Sequence, residues 1–211
     1  MKRIDINVLK SVYQDISMKR IQAIEKPELV KEFFKYIDFN NNIFEKKSAY
    51  DIASILNSYN DWYVKKDKEP KSFNIRPGDI FCVELGCFNV KYEMSYIHTC
   101  IVLKKIGYTV LIVPGSSKKY KKNNFLIEDI EKGDGFKENT GVLIDQSKFV
   151  SINRIVGSRL GMVSKETLKR VENKFLEVCS PNKYNKLKLL EKENNDLKEE
   201  IIELKKKLEN K

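Results

Sequence analysis

Over the first 74 positions apolar residues recur at helical intervals. Leu9, Val12, Tyr13, Ile16 and Ile21 predict one helix, and Val30, Phe33, Phe34 and Ile37 a second, short one. Ile52, Ile55, Leu56, Tyr59, Trp62 and Tyr63 fall on one helical face and predict a third. Asn40-Asn41-Asn42 reads as the break between the second and third, and Lys65–Pro70 as a polar linker ending in proline. The aromatic residues of this region are expected to pack as a helical core.

From residue 75 the pattern changes to short strands. Ile80, Cys82 and Val83 follow the Pro77-Gly78 turn. Tyr96–Leu103 and Tyr108–Val113 make a hairpin around Lys104–Gly107. Phe125–Ile127, Gly141–Ile144 and Ile155–Met162 supply further strands, so a small, strongly curved sheet or barrel is expected. Ser164 is placed to N-cap a helix whose apolar face is Leu168, Val171, Phe175 and Leu176, and Ser180-Pro181 ends it.

Residues 182–211 have a third period. Leu187, Asn194, Ile201 and Leu208 occupy a positions and Leu190, Leu197 and Leu204 occupy d positions. A lone asparagine in such a seam favours a parallel two-stranded coil, where the two side chains hydrogen-bond across the axis. The flanking pairs Lys186–Glu191, Glu193–Lys198 and Glu200–Lys205 are all opposite in sign between partner helices. Pro181 stands six residues before Leu187, which leaves too short a stretch for the long basic helix of a bZIP protein.

Composition narrows the chemistry. The 211 residues carry a net charge of +10, which suits a polyanionic partner. No stretch approaches the run of about 18 apolar residues needed to cross a bilayer, and the charged start lacks the apolar core of a signal peptide. The expectation is a cytoplasmic protein with no membrane association. Cys82, Cys87, Cys100 and Cys179 form no CxxC pair, and with one histidine no metal site or cofactor is expected.

That histidine, His98, lies in the most strand-like stretch. One hairpin on comes Pro114-Gly115-Ser116-Ser117, followed by Lys118, Lys119, Lys121 and Lys122. An imidazole, hydroxyls and cations near the ends of adjacent strands suggest a site that handles phosphate. Tyr92, Tyr96 and Phe88 are placed to stack on unpaired bases or to pack beneath the loop.

From Arg76 to about Val178 the chain resembles the MazF/PemK family of toxin endoribonucleases. The likeness rests on Arg76-Pro77-Gly78-Asp79-Ile80, on Ile112–Ser117, and on the block from Gly141 to Phe175. In that block Asp145, Gln146, Lys148 and Arg154 fall on typical positions. The resemblance implies a small SH3-like β-barrel with a C-terminal helix, a homodimer, and cleavage of single-stranded RNA by 2′-OH attack without metal. It assigns His98 to the family's arginine position, Ser116 to its hydroxyl, and Glu93 to the acidic residue of the preceding loop. His98, Ser116 and Glu93 are therefore the candidate catalytic residues. Ser117, Lys118, Lys119, Lys121, Lys122 and Lys148 are the candidate RNA contacts. An arginine stays charged where a histidine titrates, so the substitution exchanges a permanent cation for a proton carrier.

The expected architecture is α+β: a helical extension at 1–74, the barrel domain at 75–180 and the parallel coil at 182–211. The expected function is that of an endoribonuclease toxin, with single-stranded RNA, a second copy of the chain and an antitoxin protein as partners. Two alternatives stay open: a binding module on the same fold that does not cut, and a dimeric assembly or regulatory protein.

Overall fold

A computed structural model describes residues 5–70, 74–87, 89 and 91–209. The chain divides between Asn57 and Ser58 into two compact units.

The first unit is helical. Helix α1, Ile6–Tyr13, is capped by Asp5, whose carboxylate accepts the Asn7 N–H at 2.9 Å. The Asp5 N–H in turn donates to Glu32 at 2.8 Å, which ties α1 to α2, Pro27–Phe44. Ile16 lies beyond α1 in a short 3₁₀ turn, Ile16–Arg20. The asparagine run does not break the chain: residues 40–42 continue α2. Asparagine costs a helix interior only about 0.7 kcal/mol per residue relative to alanine, and the stronger boundary signal comes later. Ser48 caps α3, Ala49–Lys65, by accepting the Asp51 N–H at 3.1 Å.

Among the described residues of the second unit seven antiparallel strands form one sheet: β1 Asp79–Glu84, β2 Ile97–Ile106, β3 Thr109–Ser116, β4 Ile127–Ile130, β5 Thr140–Leu143, β6 Lys148–Ser151 and β7 Ile155–Met162. Pairing runs β4-β5-β3-β2-β1-β7, with β6 joined to β3, and this path is open. The expected strand at Phe125–Ile127 starts instead at Ile127. Phe125 is exposed and lies 4.0 Å beneath the Lys174 ammonium. Strand β6 gave no sequence signal, because only Val150 of its four residues is buried.

The sheet carries two apolar clusters. Phe81, Val83, Cys100, Val102, Ile112, Val150 and Ile155 meet in one cluster on one side. Ile80, Ile101, Val113, Val142 and Ile144 lie on the other side, covered by Leu168, Val171 and Phe175 of α4, Lys165–Cys179. Each fully buried valine or isoleucine contributes about 1.5–3 kcal/mol, so these clusters dominate the stability of the unit.

Local polar groups fix the ends. Asp79, fully buried, accepts the Arg76 N–H at 2.8 Å and Arg159 Nη1 at 3.0 Å, which explains an acidic residue at a strand start. Gly78 takes a left-handed φ of +89° in the same turn. Ser164 caps α4 through Thr167 N at 3.2 Å, as its position predicted. Proline at the first position of α5, Pro181–Glu209, separates it from α4. Leu190, Leu197, Ile201 and Leu204 on the predicted seam of α5 are all exposed in the single chain. No helix among the described residues is long and apolar enough to cross a membrane.

Candidate functional site

The register of β2 against β3 pairs Thr99 with Gly115. Carried one residue further, it sets His98 beside Ser116. Alternation puts both on the side of the sheet that holds Cys100 and Val102, at the end of that apolar cluster. His98 is half-buried and pairs in register with Val83 of β1. Burial lowers its pKa below the usual histidine range. Hydrogen bonding to the backbone at Gly115 and Ser95, and the negative charge of Glu84, partly oppose that shift. The ring is therefore mainly neutral at pH 7, the form able to accept a proton.

Glu84 did not stand out in the sequence. It is buried at the end of β1, where its carboxylate accepts Ser58 Oγ at 2.9 Å and the Gly86 N–H at 2.8 Å. An ionisable residue closing an apolar strand was the available signal. Glu93, the carboxylate expected beside His98, is exposed in the loop between β1 and β2. Gln146 anchors that loop, its Oε1 accepting the Met94 N–H at 3.2 Å. Tyr96 enters β2 with φ +68°, a strained value for a bulky residue, held by backbone hydrogen bonds to Gly86 and Leu85.

Lys148 is half-buried in β6, paired with Ile112, and alternation places it on the same side as Val150. Its positive charge acts on Cys100, two residues from His98, though burial dominates and pushes that thiol's pKa upward. Ser116, Lys148 and His98 thus share one side of the sheet.

The lysine loop follows directly from Ser116. Ser117, Lys118 and Lys119 form an exposed 3₁₀ turn, and Lys121 and Lys122 are exposed beyond it. The loop is not loosely draped. Lys121 N–H donates to Asp129 at 3.0 Å, Tyr120 hydrogen-bonds Glu131, and a Cβ at Gly141 would come within 2.6 Å of the Lys119 backbone. Tyr92 is exposed, with the Lys91 ammonium 5.0 Å from its ring centre. Phe88 lies outside the described residues. No group of three histidine, cysteine or acidic side chains among the described residues is placed to hold a metal.

An imidazole, a hydroxyl and a lysine thus lie on one side of the sheet, and a basic loop follows the hydroxyl. Such a set can accept a proton from a hydroxyl and hold a phosphate's charge.

Comparison with known proteins bears on the same segment. Residues 76–179 match the family described as PemK-like, MazF-like toxin of type II toxin-antitoxin system. No curated protein matches. Among solved structures the chain is similar to MazF (Form-I) from Deinococcus radiodurans, at 13% identity over 51% of this chain and 98% of that one, with a TM-score of 0.44. It is also similar to an endoribonuclease in complex with its cognate antitoxin from a mycobacterial species, at 12% identity over 48% and 91%, TM-score 0.39. A third is the Mycobacterium tuberculosis toxin MazF-mt6, at 10% identity over 48% and 94%, TM-score 0.37.

Proposed function

We propose, from a chain whose residues 76–179 belong to the PemK-like, MazF-like toxin family of type II toxin-antitoxin systems, that this protein is an endoribonuclease acting on single-stranded RNA in the cytoplasm. The observation that carries the proposal is the hairpin register that sets His98 beside Ser116 at the end of the sheet's apolar cluster. We read that sheet as the family's small barrel.

In the reaction the ribose 2′-OH attacks the adjacent phosphorus, the bond to the 5′-oxygen breaks, and a cyclic phosphate remains. Neutral His98 accepts the 2′-OH proton, and the resulting imidazolium returns a proton to the departing 5′-oxygen. The Ser116 hydroxyl donates to a non-bridging phosphate oxygen, and Lys148 supplies the positive charge that a neutral imidazole lacks. Glu93, exposed on the loop between β1 and β2, is assigned as an auxiliary base or orienting carboxylate. Ser117 and Lys118, Lys119, Lys121 and Lys122 hold the backbone on either side. None of these steps calls for a metal ion.

The zipper makes the active species a dimer, through the exposed seam of α5. An antitoxin protein is the expected inhibitor. Incubating the full chain with labelled single-stranded RNA in a chelator tests the reading. Wild type leaves cyclic-phosphate ends, while His98→Ala and Ser116→Ala leave the RNA intact.

One observation favours a second reading, a module that binds without cutting. The imidazole is already hydrogen-bonded to backbone at Gly115 and Ser95. Under that reading RNA stays intact and the His98→Ala variant binds it unchanged.

A further inference from the structure

A cavity of about 770 Å³ lies between the last turns of α3 and the end of β1, apart from His98 and Ser116. Three ties build it. Ser58 donates to the Glu84 carboxylate at 2.9 Å, Asn153 Nδ2 to the Lys68 carbonyl at 2.9 Å, and Arg154 Nη1 to the Glu84 carbonyl at 3.2 Å.

The lining combines two chemistries. Tyr59 and Trp62 stand 5.7 Å apart between ring centres, and each keeps about half its surface open, at 52% and 51%. Around them are Lys66, Lys68 and Arg154. Lys65 is matched by Asp61 at 2.7 Å, and the buried Glu84 carboxylate already accepts two hydrogen bonds. Lys66 lies 3.5 Å from the exposed Asp67 carboxylate, whereas among the described residues neither Lys68 nor Arg154 is matched to a carboxylate. The cavity therefore presents flat aromatic surface beside uncompensated positive charge.

We propose that this cavity binds one nucleotide of a single-stranded RNA, its base against Trp62 and Tyr59 and its phosphate against Lys66, Lys68 and Arg154. Every base offers a π face, so such a subsite tolerates sequence while requiring an unpaired base. Lys66 now covers Trp62, its ammonium 5.4 Å from the ring centre. On its flexible stem it swings to the phosphate as the base takes its place. An acidic peptide would satisfy the cations but would leave the paired rings unused. Tyr59 and Trp62 precede the family-matched segment, so the helical extension adds an RNA contact that the domain at 76–179 does not contain. The inference builds on the RNA reading but not on cleavage.

Trp62 is the chain's only tryptophan, so its fluorescence reports on this cavity alone. The full chain is titrated with a single-stranded 2′-O-methyl oligoribonucleotide, which has no free 2′-OH to attack. The expected result is a saturable change in Trp62 emission. Affinity falls about fivefold or more in the Lys66→Ala/Lys68→Ala double variant, as expected for lost phosphate contacts. The proposal is overturned if the oligomer leaves the emission unchanged, if the double variant binds equally well, or if poly-glutamate saturates the signal in its place. A fluorescence change without cleavage keeps this subsite and removes the nuclease. Cleavage without a fluorescence change does the reverse.

Discussion

Ser58 of α3 donates its hydroxyl to Glu84 of β1 at 2.9 Å, and both residues are buried. Twenty-six positions separate them in sequence. A buried carboxylate deprived of a donor pays its desolvation cost, so Ser58→Ala should destabilise the protein by about 1–3 kcal/mol. Thermal unfolding should show a midpoint lower by roughly 2–12 °C. An unshifted midpoint would mean that the Gly86 N–H alone satisfies Glu84.

His98 gives one imidazole signal in the whole chain, so its titration by NMR is unambiguous. Its midpoint should lie below the free value of about 6.5, because burial disfavours the charged ring. In Glu84→Gln it should fall further, since the Glu84 charge is one of the influences holding it up. A midpoint that rises in this variant would contradict the assignment of Glu84.

The same shift has a consequence for stability. The unfolded chain protonates His98 at higher pH than the folded chain does. Stability is therefore full above about pH 6.5 and is lost as pH falls from there through the folded value. Denaturation at several pH values should show this slope in wild type and a flatter one in His98→Asn. Equal slopes would place the lost protons elsewhere.

Gly141 has no room for a side chain, because a Cβ there would meet the Lys119 carbonyl carbon and oxygen at 2.6 Å. Gly141→Ala should push the lysine loop off β5 at a cost of about 1–3 kcal/mol. Filter binding should then show weakened RNA affinity in a protein that still folds. Unchanged affinity would remove the loop from the RNA contact.

Deleting residues 182–211 should weaken dimerisation, read by sedimentation equilibrium. Leu197→Lys should do the same without shortening the chain, because it puts a charge into a d position. A dimer unaffected by both changes would mean that the exposed seam of α5 meets some other partner.

Most of the secondary structure was legible because it follows local rules. The β2–β3 hairpin, the Ser164 cap and the Pro181 break depend on residues a few positions apart. The asparagine run misled because a weak propensity was set against the stronger capping signal at Ser48. Strand β6 was invisible because its pairing with β3 is long-range and buries only Val150. The site followed the same division. The nearness of His98 and Ser116 follows from hairpin register, whereas the buried Glu84 and its Ser58 partner depend on a helix meeting a strand. Glu93 fell on the expected loop, yet the carboxylate whose charge acts on His98 is Glu84.

The central claim is that His98 and Ser116 act together on one phosphodiester. Mass spectrometry of RNA ends after incubation in chelator tests it most directly, using an RNA target and the same target with 2′-deoxyribose throughout. The account predicts 2′,3′-cyclic phosphate ends from wild type on the RNA, none from either His98→Ala or Ser116→Ala, and none on the deoxy strand. Cutting of the deoxy strand, or cyclic ends undiminished in both variants, would contradict it.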